Sequence, residues 1–377
     1  MQHITVKLDF GIETRNVGTL ATYKDALYFE YAQEFIKDPL PISPLLQPVE
    51  QKLFTNGMQI PFVFADNLPG EWGLRLITNV RGKYSQRLTD LEALRYVHIY
   101  NIGALGYYPP YQYPYFWYDA PSPIDPFVAK QLLKDIARTR ALEPLRIMVG
   151  SIRGATPKVA VTEHHGELLR GIRAPQPGTK WVVRLDNRGE YTHALGQLAK
   201  VAGIRTVGTR LFSNDNESLF AGERFDVRGE TRLHAQTAWA LLGRNAEPAE
   251  IMRLGYFLTR KHETVLELFR RAVFGAYTGI NTLGAKKVSF VMDHSGQWEL
   301  APMYSFTQEL YAGRIDVWQL AATAGFTPGE TKRRISRVMN KVRSWRSVAQ
   351  EAGQHTRGIR LVKQALNERE KALSLRA

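Results

Sequence analysis

No cysteine occurs anywhere in the 377 residues, so neither a disulfide framework nor a thiolate metal site is open to this chain. Its nine histidines are scattered without a paired ligand spacing, and no metal is expected. No apolar run approaches the roughly 18 residues that a membrane-spanning helix needs. The opening MQHITVKLDF alternates like a strand, where a secretory leader would run from basic to apolar. A cytoplasmic protein with no membrane partner is the expectation. Acidic residues are also in short supply: 36 Asp and Glu face 50 Lys and Arg, a formal net charge of +14.

What is present is enough for a sizeable core, since 44% of the residues are hydrophobic and 23% charged. The basic excess is uneven. From Pro328 onward thirteen Lys and Arg stand against four Asp and Glu. Thr327-Pro-Gly-Glu330 reads as a capping box with Pro at the first helical position. Behind it Ile335, Val338, Met339, Val342, Trp345 and Ala349 form one apolar stripe for core packing. Arg334, Arg337 and Lys341 lie around that stripe as a candidate face for nucleic acid or an acidic partner. A final amphipathic helix is expected from Leu361 to Arg376.

The stretch from Phe269 to Thr307 organises the rest. Leu266, Phe269, Ala272, Val273 and Ala276 recur at three- and four-residue spacing, which predicts a helix. A glycine-punctuated turn follows. Two apolar runs, Val288 to Met292 and Trp298 to Leu300, then flank the turn residues Asp293 to Gly296 and predict a β-hairpin. Helix, loop and hairpin in that order is where kinase-like folds place a catalytic Asp and metal ligands.

The loop reads Gly279-Ile-Asn-Thr-Leu-Gly-Ala-Lys-Lys287, and the hairpin leads into Trp298-Glu-Leu-Ala-Pro-Met-Tyr-Ser305. Both stretches resemble the HipA family, serine/threonine kinases that act as the toxin half of bacterial toxin–antitoxin pairs. That family's pattern is G-x-x-D-[DG]-H-A-[KR]-N followed by W-x-L-[AT]-P-x-Y-D. On this resemblance Thr282 stands where the catalytic Asp would be, Gly284 where a His would be, Lys287 at the metal-binding Asn and Ser305 at the second metal-binding Asp. A hydroxyl cannot deprotonate an attacking alcohol as a carboxylate does, and an ammonium cannot ligate Mg2+. Asn281 and Asp293 lie nearby, but one is a position out of register and the other sits at the hairpin turn.

The resemblance runs from about Val17 to about Gly353. Pro41-Ile-Ser-Pro44, Phe62 to Pro69 with Asn67 in place of a Leu, and the Asn101 to Gly106 turn are similar to the family's N-terminal segments. Gly150-Ser-Ile-Arg-Gly-Ala-Thr-Pro-Lys158 matches a loop that covers nucleotide phosphates, at Ser151, Gly154 and Lys158; the resemblance makes Ser151 an autophosphorylation candidate. Arg184 takes the place of a phosphate-binding Lys, with Glu190 as its expected ion-pair partner. Ser218 to Asp226 matches the hinge strand facing the adenine, through Glu223, Arg224 and Phe225, and Arg232-Leu-His234 matches a branch of the family. By itself His234 reads as a satisfied structural histidine.

Between these stretches, strands are expected at Ile4 to Phe10, Asn16 to Tyr23, Leu27 to Tyr31 and Val159 to Thr162. Helices are expected at Leu91 to Tyr100, Asp125 to about Arg140, Tyr191 to Val201, Ala249 to Thr259 and Glu263 to Thr278. The Pro- and aromatic-rich run Tyr107 to Tyr118 reads either as a connector that seals a gap or as a stacking platform. The expected fold is α+β and HipA-like: an N-terminal β-rich subdomain at 1–120, a kinase-like N-lobe at 121–229 and a helical C-lobe at 230–377. Three functions stay open on this reading. The first is a pseudokinase acting by binding, taking ATP or another nucleotide without metal as Lys158, Arg184 and Lys287 converge on its phosphates. The second is a divergent ATP-dependent kinase. The third is a regulator associated with DNA, directly or through an antitoxin-like or HipA-type protein partner.

Overall fold

The computed structural model describes residues 2–24, 26–81, 88–111, 123–134, 149–152, 154, 156–170, 178–306, 315–354 and 356–374. They form two compact units: Met1–Asp186 with Asp226–Gln236 and Val291–Gln297, and Asn187–Phe225 with Thr237–Phe290 and Trp298–Ala377.

In the first unit the three expected N-terminal strands form, as β1 (His3–Asp9), β2 (Thr14–Tyr23) and β3 (Ala26–Tyr31). With β4 (Leu53–Thr55) and β5 (Leu105–Tyr108) they make an antiparallel sheet in the order β4-β3-β2-β1-β5. Period-2 alternation puts Ile4, Val6 and Leu8 on the buried face. Phe29 extends that core, meeting Tyr31 edge-on at 4.8 Å and Phe64 at 4.9 Å. Helix α1 (Asp90–Val97) begins with a reciprocal capping box between Thr89 and Glu92. It stops short of the expected Tyr100 because His98 takes a φ of 50°. Helix α2 (Pro126–Lys134) starts as expected, the Asp125 carboxylate accepting from Phe127 N–H at 2.8 Å; its expected continuation to Arg140 lies outside the described residues.

Next in the same unit come β6 (Lys158–His164), β7 (Glu167–Arg170) and β8 (Thr179–Arg184), with β6 pairing antiparallel to both others. Ile152 packs with Ala160, Ile102 and Val182, fastening the loop ahead of β6 to the Asn101–Gly106 turn.

Among the elements of the second unit are α3 (Gly189–Val201), the antiparallel pair β9 (Thr209–Ser213) and β10 (Ser218–Glu223), α4 (Pro248–Thr259) and α5 (His262–Thr278). Helix α5 buries Phe269, Ala272 and Val273 of the expected stripe, while Leu266 and Ala276 at its edges are half-buried. The hairpin strands form at Ser289–Met292 and Trp298–Leu300. Helices α6 (Val317–Thr323), α7 (Pro328–Val342), α8 (Trp345–Glu351) and α9 (Thr356–Ser374) complete the unit.

The capping box at Thr327 and Glu330 is present, but the apolar stripe behind it is not one helix. The chain breaks at Ser344, giving Ile335 to Val342 to α7 and Trp345 to Ala349 to α8. The break seats the Trp345 indole, which donates to Ile359 O at 3.2 Å and meets the Tyr191 ring at 6.1 Å. The last helix begins at Thr356, ahead of the expected Leu361. Among the described residues no helix is long and apolar enough to cross a membrane.

Candidate functional site

Helix α5 delivers the loop that the sequence singled out. It ends on Gly279, whose φ of 77° lies in the left-handed region. A side chain there would run into the Arg369 guanidinium of α9, which donates to Thr278 O at 2.6 Å. The loop then turns back on its own helix. Thr282 is 3% exposed and donates its hydroxyl proton to the carbonyl of Arg271 at 2.7 Å. Gly284 lies under the Asn281 carboxamide, which occupies the space a side chain at 284 would need. Lys287 donates its amide to Gly284 O at 2.7 Å, closing the turn, with its side chain half-buried.

Arg271 escaped the sequence reading, yet it joins both motifs. Its guanidinium is buried, bonded to Glu267 at 3.1 Å and to Ala301 O of the Trp298-to-Ser305 motif at 2.9 Å. Burial lowers its pKa from the ordinary value, against the opposing pull of Glu267. Glu267 also accepts from Arg205 N–H at 3.0 Å, and Arg205 reaches Leu300 O. The motif's backbone is thus held by two arginines. Farther along it, Tyr304 bonds Ser289 at 2.8 Å and stacks on Phe225 at 4.7 Å, so the end of the expected hinge meets the residue before the partly exposed Ser305. Arg224 is buried, and Glu223 is exposed with its amide donating to Gly208 O at 2.8 Å.

Three of the expected anion-site residues come together in the first unit. The Lys158 ammonium lies over Gly154, where φ is 114° and an added Cβ would sit 2.7 Å from Nζ. Lys158 and Arg184 are cross-strand partners on β6 and β8. Arg184 is 7% exposed and takes Asp186 as its carboxylate, rather than the expected Glu190, with Thr156 Oγ1 at 3.5 Å. Asp186, two residues along the chain, is in easy reach of the fork.

Ser151 is engaged by the Asn101–Gly106 turn. It is 1% exposed, and its hydroxyl accepts from Ile102 N–H at 3.0 Å. The adjacent Gly103 N–H donates to Asp226 at 2.6 Å, and Arg232 donates to Asn101 Oδ1 at 2.9 Å and to Gly103 O. The Asp and Arg of the two later motifs therefore clasp the Asn101–Gly106 turn. Asn67 joins them, donating to Ile102 O at 3.0 Å and accepting from Tyr107 at 2.7 Å.

His234 is fully buried with Nε2 on Ile42 O at 3.0 Å, the structural histidine expected. Asp293 caps the hairpin turn: burial acts to raise its pKa, but hydrogen bonds from Ser295 and Gln297 bring it below the usual value. Of the aromatic run, Tyr107 is buried and Tyr111 stacks on Tyr96 at 4.0 Å; residues 112–118 lie outside the described ones. On α7 Lys332, Arg333, Arg337 and Lys341 face outward, whereas Arg334 lies against the Phe326 ring at 4.8 Å.

Comparison with known proteins adds family and fold. No curated protein matches the sequence. Among solved structures, HipA of the Shewanella oneidensis MR-1 toxin–antitoxin system, determined with HipB and operator DNA, matches with a TM-score of 0.71 at 18% identity, covering 97% of this chain and 96% of that one. The Helicobacter pylori proinflammatory kinase CtkA matches with a TM-score of 0.32 at 13% identity, over 57% of this chain and 90% of its own. The fold is mixed α+β and HipA-like, with an N-terminal β-sheet domain and a kinase-like body. Residues 8–108 match the HipA N-terminal domain and residues 150–373 the HipA-like C-terminal domain, so this chain belongs to the HipA family.

Proposed function

We propose that this chain is a HipA-like pseudokinase that acts by binding and retains an anion or nucleotide site without metal. The seating of Thr282 carries this reading. A general base must reach the hydroxyl it deprotonates and must accept its proton. Thr282 is buried, and its own proton is committed to Arg271 O at 2.7 Å. Lys287 and Ser305 lack the carboxamide and carboxylate oxygens that a hard divalent cation takes at those positions. Support for anion binding comes from the first unit, where Lys158 and Arg184 are neighbours beside the left-handed Gly154.

Incubation with ATP and Mg2+, followed by intact-mass spectrometry and thermal melting, tests both halves. The expected result is no phosphate on Ser151 or elsewhere, and an ATP-dependent rise in melting temperature that survives EDTA. Stoichiometric phospho-Ser151, lost on Thr282→Ala, would establish a divergent ATP-using serine/threonine kinase instead. No melting shift with ATP, ADP or polyphosphate removes the anion site.

A second reading, regulation in company with a DNA-binding protein, is favoured by the outward cations of α7. HipA from Shewanella was solved with HipB and operator DNA. On this reading the partner is antitoxin-like or another HipA-type protein, and DNA is contacted directly or through it.

A further inference from the structure

A groove of about 360 Å³ opens on the second unit between α4, the first turn of α5 and the end of α6; none of the residues of the Gly279–Lys287 loop or of the Ser218–Asp226 stretch lines it. Its floor is apolar, formed by the buried Met252 and Val265. Its wall is two rings left in solvent, Tyr256 at 49% and Phe257 at 40% exposure. Two large rings lining one groove are a substantial apolar area to leave wet. Two arginines, Arg253 and Arg260, stand in the lining with His262, and no Asp or Glu is among the lining residues.

The charge in the groove is held in place. Arg260 caps α4 in the left-handed conformation and lies 5.0 Å from the Phe257 ring centre. The N-terminus of the long helix α5, which no side chain caps at Lys261, adds its positive end. Glu250 of α4 is bonded by Arg244 at 2.5 Å and is also within electrostatic reach of Arg253, but it lies outside the lining. Glu263 is exposed in the first turn of α5 and is not part of the lining.

We propose that this groove docks an acidic peptide segment bearing a bulky apolar side chain, supplied by another protein. The apolar floor and rings take the anchor, and Arg253, Arg260 and His262 take the flanking carboxylates. A second copy of this chain is a poor occupant, since each copy carries a net charge of +14. A nucleic acid would leave the apolar floor unused. The proposal does not depend on whether the loop at Thr282 is catalytic.

The test uses the full chain and a dye-labelled peptide of about twelve residues, Glu and Leu around a central Phe, with a Lys-for-Glu peptide and an all-Glu peptide as controls. Fluorescence anisotropy is expected to show the acidic amphipathic peptide bound about tenfold or more tightly than either control, each tenfold being a clear step in affinity. Arg253→Glu combined with Arg260→Glu should abolish that preference with the melting temperature unchanged. Should the double variant unfold, Tyr256→Ser and Phe257→Ser, both at exposed positions, decide the matter by weakening binding or leaving it intact. Equal binding of the amphipathic and all-Glu peptides, preference for the basic peptide, wild-type binding by the folded variants, or displacement by an oligonucleotide at equal concentration overturns the proposal.

Discussion

The hydroxyl of Thr282 donates to the backbone of Arg271 at 2.7 Å, and the side chain of that same Arg271 donates to Ala301 O at 2.9 Å. The pocket around position 282 therefore presents an acceptor. A carboxylate placed there would meet a carbonyl oxygen with no proton between them. Thr282→Val is expected to cost about 1 kcal/mol for the lost bond, and Thr282→Asp about 3 kcal/mol for an unsatisfied buried charge. Urea unfolding of both variants measures this. Wild-type stability in Thr282→Asp would mean that the loop opens freely and the buried seating is not its working state.

Gly279 and Arg369 are coupled by space. Gly279→Ala is expected to destabilise by about 2 kcal/mol, roughly half from the positive φ and half from collision with the guanidinium. In an Arg369→Ala background only the backbone part should remain, about 1 kcal/mol. A double-mutant cycle by thermal denaturation gives the difference. Strict additivity would show that α9 does not press on the end of α5 in solution.

His234 sets an acid limit. Burial drives its imidazole down to about 4, while Nε2–H donates to the Ile42 carbonyl. An unfolded histidine titrates near 6.5, so the unfolded chain takes up the proton first. The contribution is complete above about pH 6.5 and is lost as pH falls toward 4, on the order of 3 kcal/mol over that window. Unfolding free energies at pH 7, 5.5 and 4 for wild type and His234→Gln should converge at the acid end. A constant gap between the two proteins would assign the loss to other groups.

The outward face of α7 is tested through salt. If it contacts DNA, affinity must fall steeply as salt rises, because each neutralised phosphate releases counterions. Replacing Lys332, Arg337 and Lys341 with Gln should flatten that slope by about three while the buried Ile335, Val338 and Val342 keep the helix folded. Adding Arg334→Gln tests a residue that lies on Phe326 instead of facing outward, and should lower the melting temperature more than it alters binding. Mobility shifts at two salt concentrations decide. Equal slopes for wild type and triple variant would return this face to simple solvation.

The sequence spoke most clearly where structure is local. A capping box such as Thr327 to Glu330 needs four consecutive residues, and the hairpin around Asp293 little more, so both were legible. The stripe from Ile335 to Ala349 keeps its period through Ser344, which made the break there invisible until the indole of Trp345 was seen to need it. Arg184 illustrates a nearer miss: the family resemblance pointed to Glu190, whereas the geometry at the end of β8 brings Asp186 to the guanidinium. The bond of Thr282 to Arg271 and the clasp of Asp226 and Arg232 on the Asn101–Gly106 turn join residues far apart in the chain. Periodicity carries no signal for such pairs. Motif resemblance identified the fold, but gave no role to Arg271.

The bond between Ser151 and Ile102 N–H has a use of its own. A buried hydroxyl is reached by any modifying enzyme only in the fraction of time its loop is open, and that fraction is ordinarily hidden. Here the loop's closure protects a specific backbone amide on a different segment. The deuterium exchange rate of Ile102 therefore reads how often Ser151 leaves its seat, without labelling or mutating either residue. Any ligand that loosens or clamps the loop ahead of β6 would appear as a change in one exchange rate, resolved at a single residue.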